Sequence, residues 1–141
     1  NKDIDVFNHQ RALYVKQTLN TDVMTEASQL LIGRHDFSSF RASSCQSKNP
    51  VREMKNIHLE VNQLIAISFT ANAFLHHMIR NIIGTLIDVG IGKISPKDLE
   101  KILHLRDRSA ASKTASAKGL YLTKVSYPKE YDFPYRSFEM I

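Results

Sequence analysis

Ile65-Ala66-Ile67-Ser68-Phe69-Thr70-Ala71-Asn72-Ala73-Phe74-Leu75-His76-His77-Met78-Ile79-Arg80-Asn81-Ile82-Ile83-Gly84 decides the fold. Its first part alternates, with Ile65, Ile67 and Phe69 on one side, as a half-buried strand requires. Its second part changes period. Leu75, Ile79, Ile82, Leu86 and Val89 recur at steps of four and three, which predicts an amphipathic helix over about Phe74–Val89, stopped at Gly90. The opposite face carries His77, Arg80, Gly84 and Asp88, and a second line joins His76 to Arg80. A cation and two imidazoles in the first turn of a helix, just past a strand end, suit a phosphate or carboxylate. Gly84 inside a helix costs roughly 1 kcal/mol relative to alanine, so another segment is expected to approach there.

Upstream of this stretch, Ile57, Leu59 and Val61 alternate, and Asn62-Gln63 reads as the turn of a hairpin. Arg34 to Arg52 reads as a serine-rich loop anchored by Phe37 and Phe40. Before it, Asn20 or Thr21 caps a helix over about Asp22–Ile32, with Val23, Ala27, Leu30 and Leu31 buried and Gly33 ending it. Residues 1–20 read as a linker or an edge strand built on Ala12-Leu13-Tyr14-Val15. Downstream, Ser95-Pro96-Lys97-Asp98 opens a further helix that buries Leu99, Ile102, Leu103 and Leu105. Arg106 to Gly119 reads as a loop, Leu120 to Tyr127 as a strand, and residues 135–141 as a tail. The order of elements argues for an α+β domain, a mainly antiparallel sheet with helices packed on one face. Residues 21–134 form that domain on this reading.

The chain has 141 residues, enough for one modest core. Nineteen basic and 14 acidic residues leave a net charge of +5, which favours a polyanionic partner. Cys45 is the single cysteine, so no internal disulfide can form, as in a reducing compartment. No apolar run is long enough to span a bilayer. The first residue is not methionine, which suggests a piece of a longer protein.

Three groups of residues carry candidate chemistry. His35-Asp36 resembles a metal-site dipeptide but lacks further ligands at suitable spacing; Asp36 suits a capping role or a pairing with arginine. His76 and His77 are about 100° apart on a helix and do not chelate one ion easily. Arg34, Arg41, Lys48 and Arg52 surround Phe37 and Phe40, a mixture that suits single-stranded or looped RNA. The alternative for the two rings is a place in the core.

Taken together, His35-Asp36-Phe37-Ser38-Ser39-Phe40, the run Ala73 to Gly84, Asp107-Arg108, Lys118-Gly119-Leu120-Tyr121-Leu122 and Tyr127-Pro128 resemble the C-terminal half of the tRNA pseudouridine synthase I family. The resemblance covers about Thr21 to Pro134. It implies isomerisation of uridine to pseudouridine in the anticodon stem-loop of tRNA, by a cytoplasmic homodimer that needs no metal or organic cofactor. It implies that Arg80 pairs with the catalytic aspartate and that Leu120 packs against the target base. It implies that His76 and His77 line the cleft, and that Arg108 and Lys118 join the basic residues facing RNA. The family's aspartate stands in a Gly-Arg-Thr-Asp type of motif, and no aspartate of this chain has that context. The chain is therefore expected to need a missing N-terminal half and to be inactive alone. The alternative function is a non-catalytic RNA-binding α+β module, although its two best strands carry only Phe69 as an aromatic residue.

Overall fold

A computed structural model describes residues 12–45 and 47–123 of the chain. The chain divides into two compact units, one formed by Val15–Ser116 and the other by Asn1–Tyr14 with Ala117–Ile141. The elements described all belong to the first: α1 (Thr21–Gln29), β1 (Gly33–Asp36), a single 3-10 turn (Ser38–Phe40), β2 (Val51–Val61), β3 (Ile65–Ala71), α2 (Met78–Gly90), α3 (Pro96–Leu105) and a second 3-10 turn (Arg108–Ala110).

The three strands form one antiparallel sheet in the order β1-β2-β3. In the hairpin Ile57 faces Phe69, Leu59 faces Ile67 and Val61 faces Ile65. Its turn has three residues rather than two, because the Asn62 N–H donates to the Leu64 carbonyl at 3.0 Å. An irregularity between Met54 and Asn56 inserts one extra residue, which puts both Met54 and Ile57 on the core side. Lys55, Asn56, His58, Glu60, Ala66, Ser68 and Thr70 face away and are exposed. The core side meets α1, which packs on β2 and against α2 and α3. Met24, Leu31, Phe37, Phe40, Met54, Met78, Ile82, Leu86 and Leu99 fill the interior. The expected α+β layering, helices on one face of an antiparallel sheet, is what the chain builds.

Local chemistry accounts for two helix starts. The Asn20 side chain accepts the Val23 N–H at 3.2 Å, and the Asn20 N–H donates to the Gly90 carbonyl at 2.8 Å, joining the ends of α1 and α2. At α3, Ser95 and Asp98 form a reciprocal capping box with Pro96 in the first position, as expected.

Several boundaries differ from expectation. Gly33 does not cap α1; Leu30 does, and Gly33, at φ +111°, turns the chain into β1. The segment expected as a loop from Arg34 to Arg52 thus begins as a strand, with Arg34 opposite Glu53 and His35 opposite Arg52. Helix α2 starts at Met78, four residues later than expected, because His77 is left-handed (φ 59°, ψ 8°). Its buried stripe is Met78, Asn81, Ile82, Thr85, Leu86 and Val89, so Ile79 is only half-buried. Leu105 is 63% exposed rather than buried. Residues 12–15 form no strand, and neither do residues 120–123; the rest of the strand expected over Leu120–Tyr127 lies outside the described residues, as do residues 1–11 and the tail.

Candidate active site

The segment before α2 is built as a hook. Leu75 is buried and its carbonyl accepts the Met78 N–H at 3.0 Å. The His76 carbonyl accepts the Ala42 N–H at 3.0 Å, which ties the hook to the loop after β1. His77 then adopts the left-handed conformation that a non-glycine residue avoids, at a cost on the order of 1–2 kcal/mol. The two imidazole rings stack with centroids 3.9 Å apart. Neither histidine caps the helix with its side chain. Instead, the His77 Nε2 lies 3.1 Å from Nη1 of Arg80. A guanidinium has no lone pair to offer, so it donates and the ring nitrogen accepts, which fixes a neutral ring protonated on Nδ1. Desolvation, then the neighbouring His76 and Arg80, push the His77 pKa below its ordinary value, in agreement with a neutral acceptor.

Arg80 is gripped a second time. Its Nε donates to the Ala115 carbonyl at 2.8 Å, and the Ala115 N–H donates back to the Arg80 carbonyl at 3.1 Å. Its Nη2 makes no hydrogen bond, and no carboxylate pairs with it, among the described residues. The guanidinium is oriented, and among the described residues no charge answers it. Such a group is a strong receptor for an acidic partner.

The segment that presents Ala115 is strapped along α2. A methyl group on Gly84 would collide with the Lys113 carbonyl oxygen, so only glycine admits the strap. This is the close approach that Gly84 implied. The Ser112 N–H donates to Thr85 Oγ1 at 3.3 Å, and the Ser112 hydroxyl donates to Asp88 at 2.5 Å. Asn81, fully buried, is the hub. Its Nδ2 donates to the Phe40 carbonyl at 2.6 Å, and its Oδ1 accepts from Thr114 Oγ1 at 2.6 Å and from Arg108 Nη2 at 3.1 Å. Ser39 joins the other end, donating to the Ile102 carbonyl and accepting the Asp107 N–H. Sequence reasoning missed Ser39 and Asn81 as hubs. For Asn81 the signal was a polar residue next to Ile82 of the apolar stripe; Ser39, in a turn, carried none.

Arg34, Phe37, Phe40, Arg41, Lys48, Arg52, Arg108 and Lys118, expected to meet RNA, separate into four groups. Arg34 and Lys48 are exposed. Arg41 and Arg52 are half-buried and spent on their own loop: Arg41 donates to the Ser47 carbonyl, and Arg52 to the Asn49 and Val51 carbonyls and the Ser47 hydroxyl. Phe37 and Phe40 are fully buried, so the core reading holds and neither ring offers a face for a base. Arg108 is likewise tied down, donating to the Ala111 and Ser112 carbonyls, Thr114 and Asn81. It acts as the clasp of the strap. Lys118 and Leu120 belong to the other compact unit; there the Leu120 N–H closes a turn onto the Ala117 carbonyl, and Leu120 is about half exposed.

Asp36 both caps and pairs, as expected. It accepts the Ser38 N–H at 2.9 Å and lies 3.7 Å from Arg106 Nε. Partial burial works to raise its pKa, but the Ser38 hydrogen bonds and the Arg106 and Arg41 charges together hold it below the ordinary value. His35 lies edge-on to Phe37 with its Nε2 2.9 Å from the Ile32 carbonyl. Among the described residues, no cluster of His, Cys, Asp or Glu comes together as a metal site.

The α+β unit thus clamps one half-buried arginine at two of its nitrogens, with no carboxylate beside it among the described residues. Comparison with known proteins shows the family. Residues 27–128 match the family model described as tRNA pseudouridine synthase. A tRNA pseudouridine synthase A of Aliivibrio salmonicida is 49% identical over 132 residues, covering 92% of this chain and 49% of the relative. Proteins of that name from Chromobacterium violaceum and Orientia tsutsugamushi are 49% and 45% identical, over 85% and 86% of the chain and 46% and 44% of their own lengths. The chain belongs to the tRNA pseudouridine synthase family, and it spans about half the length of these curated relatives.

Proposed function

We propose that this chain supplies the arginine-bearing half of an enzyme that isomerises uridine to pseudouridine in the anticodon stem-loop of tRNA. On this reading Arg80 receives the carboxylate of a catalytic aspartate carried by a separate, N-terminal half. The carboxylate must stay ionised to act, and a fixed guanidinium stabilises that form. The uridine leaves its stack to be reached, the glycosidic bond breaks, and the base turns and rejoins through carbon. Leu120 offers an apolar surface for the base. The exposed Arg34 and Lys48 face the phosphates, and His76 and His77 line the cleft. The full-length protein works as a homodimer in the cytoplasm without a metal or organic cofactor.

One observation carries the reading: Arg80 is held at Nε and Nη1 while Nη2 is left without an acidic partner among the described residues. Tritium release from tRNA labelled at carbon 5 of uridine tests it. This 141-residue chain alone should show no turnover. In the full-length protein, Arg80→Ala should lower kcat by roughly a hundredfold or more while tRNA affinity changes little. A non-catalytic RNA-binding module would instead lose only affinity.

A further inference from the structure

We propose that His77 is a positioning residue for Arg80, acting through its neutral ring, and that protonation of the ring releases the guanidinium. The inference rests on the functional reading above for its kinetic consequences, but the bond itself does not depend on that reading. Arg80 Nε is fixed by a main-chain carbonyl, which sets one edge of the guanidinium. A single hydrogen bond still allows the group to rock about that contact. The second bond, from Nη1 to His77 Nε2 at 3.1 Å, removes the freedom and aims Nη2. The residue that makes this bond stands just before α2 with a left-handed backbone. The stack on His76 holds the ring plane. A strained backbone at this point is explained if the ring must be where it is.

The contact is conditional on charge. With both ring nitrogens protonated, His77 has no acceptor and places a second cation against Arg80. The titratable and charged groups that act on it are His76, stacked on the ring, and Arg80 on α2. Among the described residues no carboxylate acts on the ring to favour the proton. The depressed pKa of His77 is in keeping with this.

The test uses the full-length protein and two replacements that share the cost of the left-handed backbone. His77→Phe keeps a ring for the stack but has no acceptor. His77→Gln places an amide oxygen near the site of Nε2 and does not titrate. Turnover and KM for tritium release are measured between about pH 5 and 9, on either side of the ordinary histidine pKa. His77→Phe should lose roughly ten- to a hundredfold in kcat with KM nearly constant, the size expected of a misaimed group. His77→Gln should recover most of that loss, and its kcat should lack the fall that the parent protein shows on the acid side. Nitrogen NMR of the parent at neutral pH should show Nε2 unprotonated and Nδ1 protonated, with the Arg80 Nε–H signal shifting as His77 takes up a proton. A parent protein with Nε2 protonated at neutral pH, a His77→Phe protein with undiminished kcat, or a His77→Gln protein with the parent's acid limb would each overturn the proposal. Should the parent release no tritium while the NMR signature is present, the functional reading fails and the side-chain bond stands.

Discussion

Asp36 shows how much one side chain can organise at a strand end. Its carboxylate accepts the Ser38 N–H, starts the turn that buries Phe37 and Phe40, and meets the exposed Arg106 at 3.7 Å. The ion pair, open to water on the arginine side, adds at most about 1 kcal/mol. Because the pKa is lowered in the folded chain, the unfolded chain binds the proton more readily. The stabilisation from the ionised form is therefore complete above the unfolded value of about 3.9 and is lost as pH falls through the folded one. Asp36→Asn keeps an acceptor for Ser38 and removes only the charge. Its urea midpoint should lie slightly below that of the parent at neutral pH, and the two should converge in acid below about pH 4. A gap that widened in acid would mean that the carboxylate is not stabilised as described.

At the level of elements, α3 was legible because its signals are local: a capping serine, a proline at the first position and an aspartate three residues on. The hairpin was legible because its two faces differ in polarity. Strand β1 was not. Gly33-Arg34-His35-Asp36 has no apolar alternation, and it is a strand only because β2 extends far enough to pair with it. The start of α2 was misread because the apolar repeat continues through Leu75, while a left-handed residue at His77 has no signature in the pattern. The candidate site was legible at Arg80 and Gly84, where a charge and a missing side chain each called for a partner. It was not legible at Arg108, Phe37 or Phe40, since a residue type does not reveal whether it is buried or already bonded. Gly84 permits a quantitative test of the strap. Alanine in a helix gains about 1 kcal/mol over glycine. Here its methyl group would strike the Lys113 carbonyl, and displacing backbone costs about 1–3 kcal/mol, with the strap's bonds to Asn81, Thr85 and Asp88 at risk as well. The second effect wins. Gly84→Ala should lower stability in urea, and in the full-length protein it should also lower kcat, because Ala115 moves with the strap. A stabilised variant would show that the strap is not held against the helix.

For the whole molecule the question is how a mild excess of positive charge is deployed. A net charge of +5 attracts RNA at long range, but attraction alone does not say which side chains touch phosphate. Hydrogen-bond accounting does. Arg41, Arg52 and Arg108 already satisfy main-chain carbonyls, so removing one loosens the fold before it weakens binding. Arg34 and Lys48 are exposed, and among the described residues neither takes part in an ion pair. If these two neutralise phosphates in the complex, each releases counterions, and the logarithm of the binding constant falls with the logarithm of salt by roughly 0.7 to 0.9 per contact. The paired variant Arg34→Ala with Lys48→Ala should therefore flatten the salt slope of tRNA binding by about 1.4 to 1.8 while leaving the urea midpoint unchanged. Arg108→Ala should do the reverse, lowering the midpoint with little change in slope. Filter binding over a salt series, beside denaturation of the same proteins, separates the two. An unchanged slope in the paired variant would move the RNA contact off these two residues and onto other basic residues, Lys118 among them.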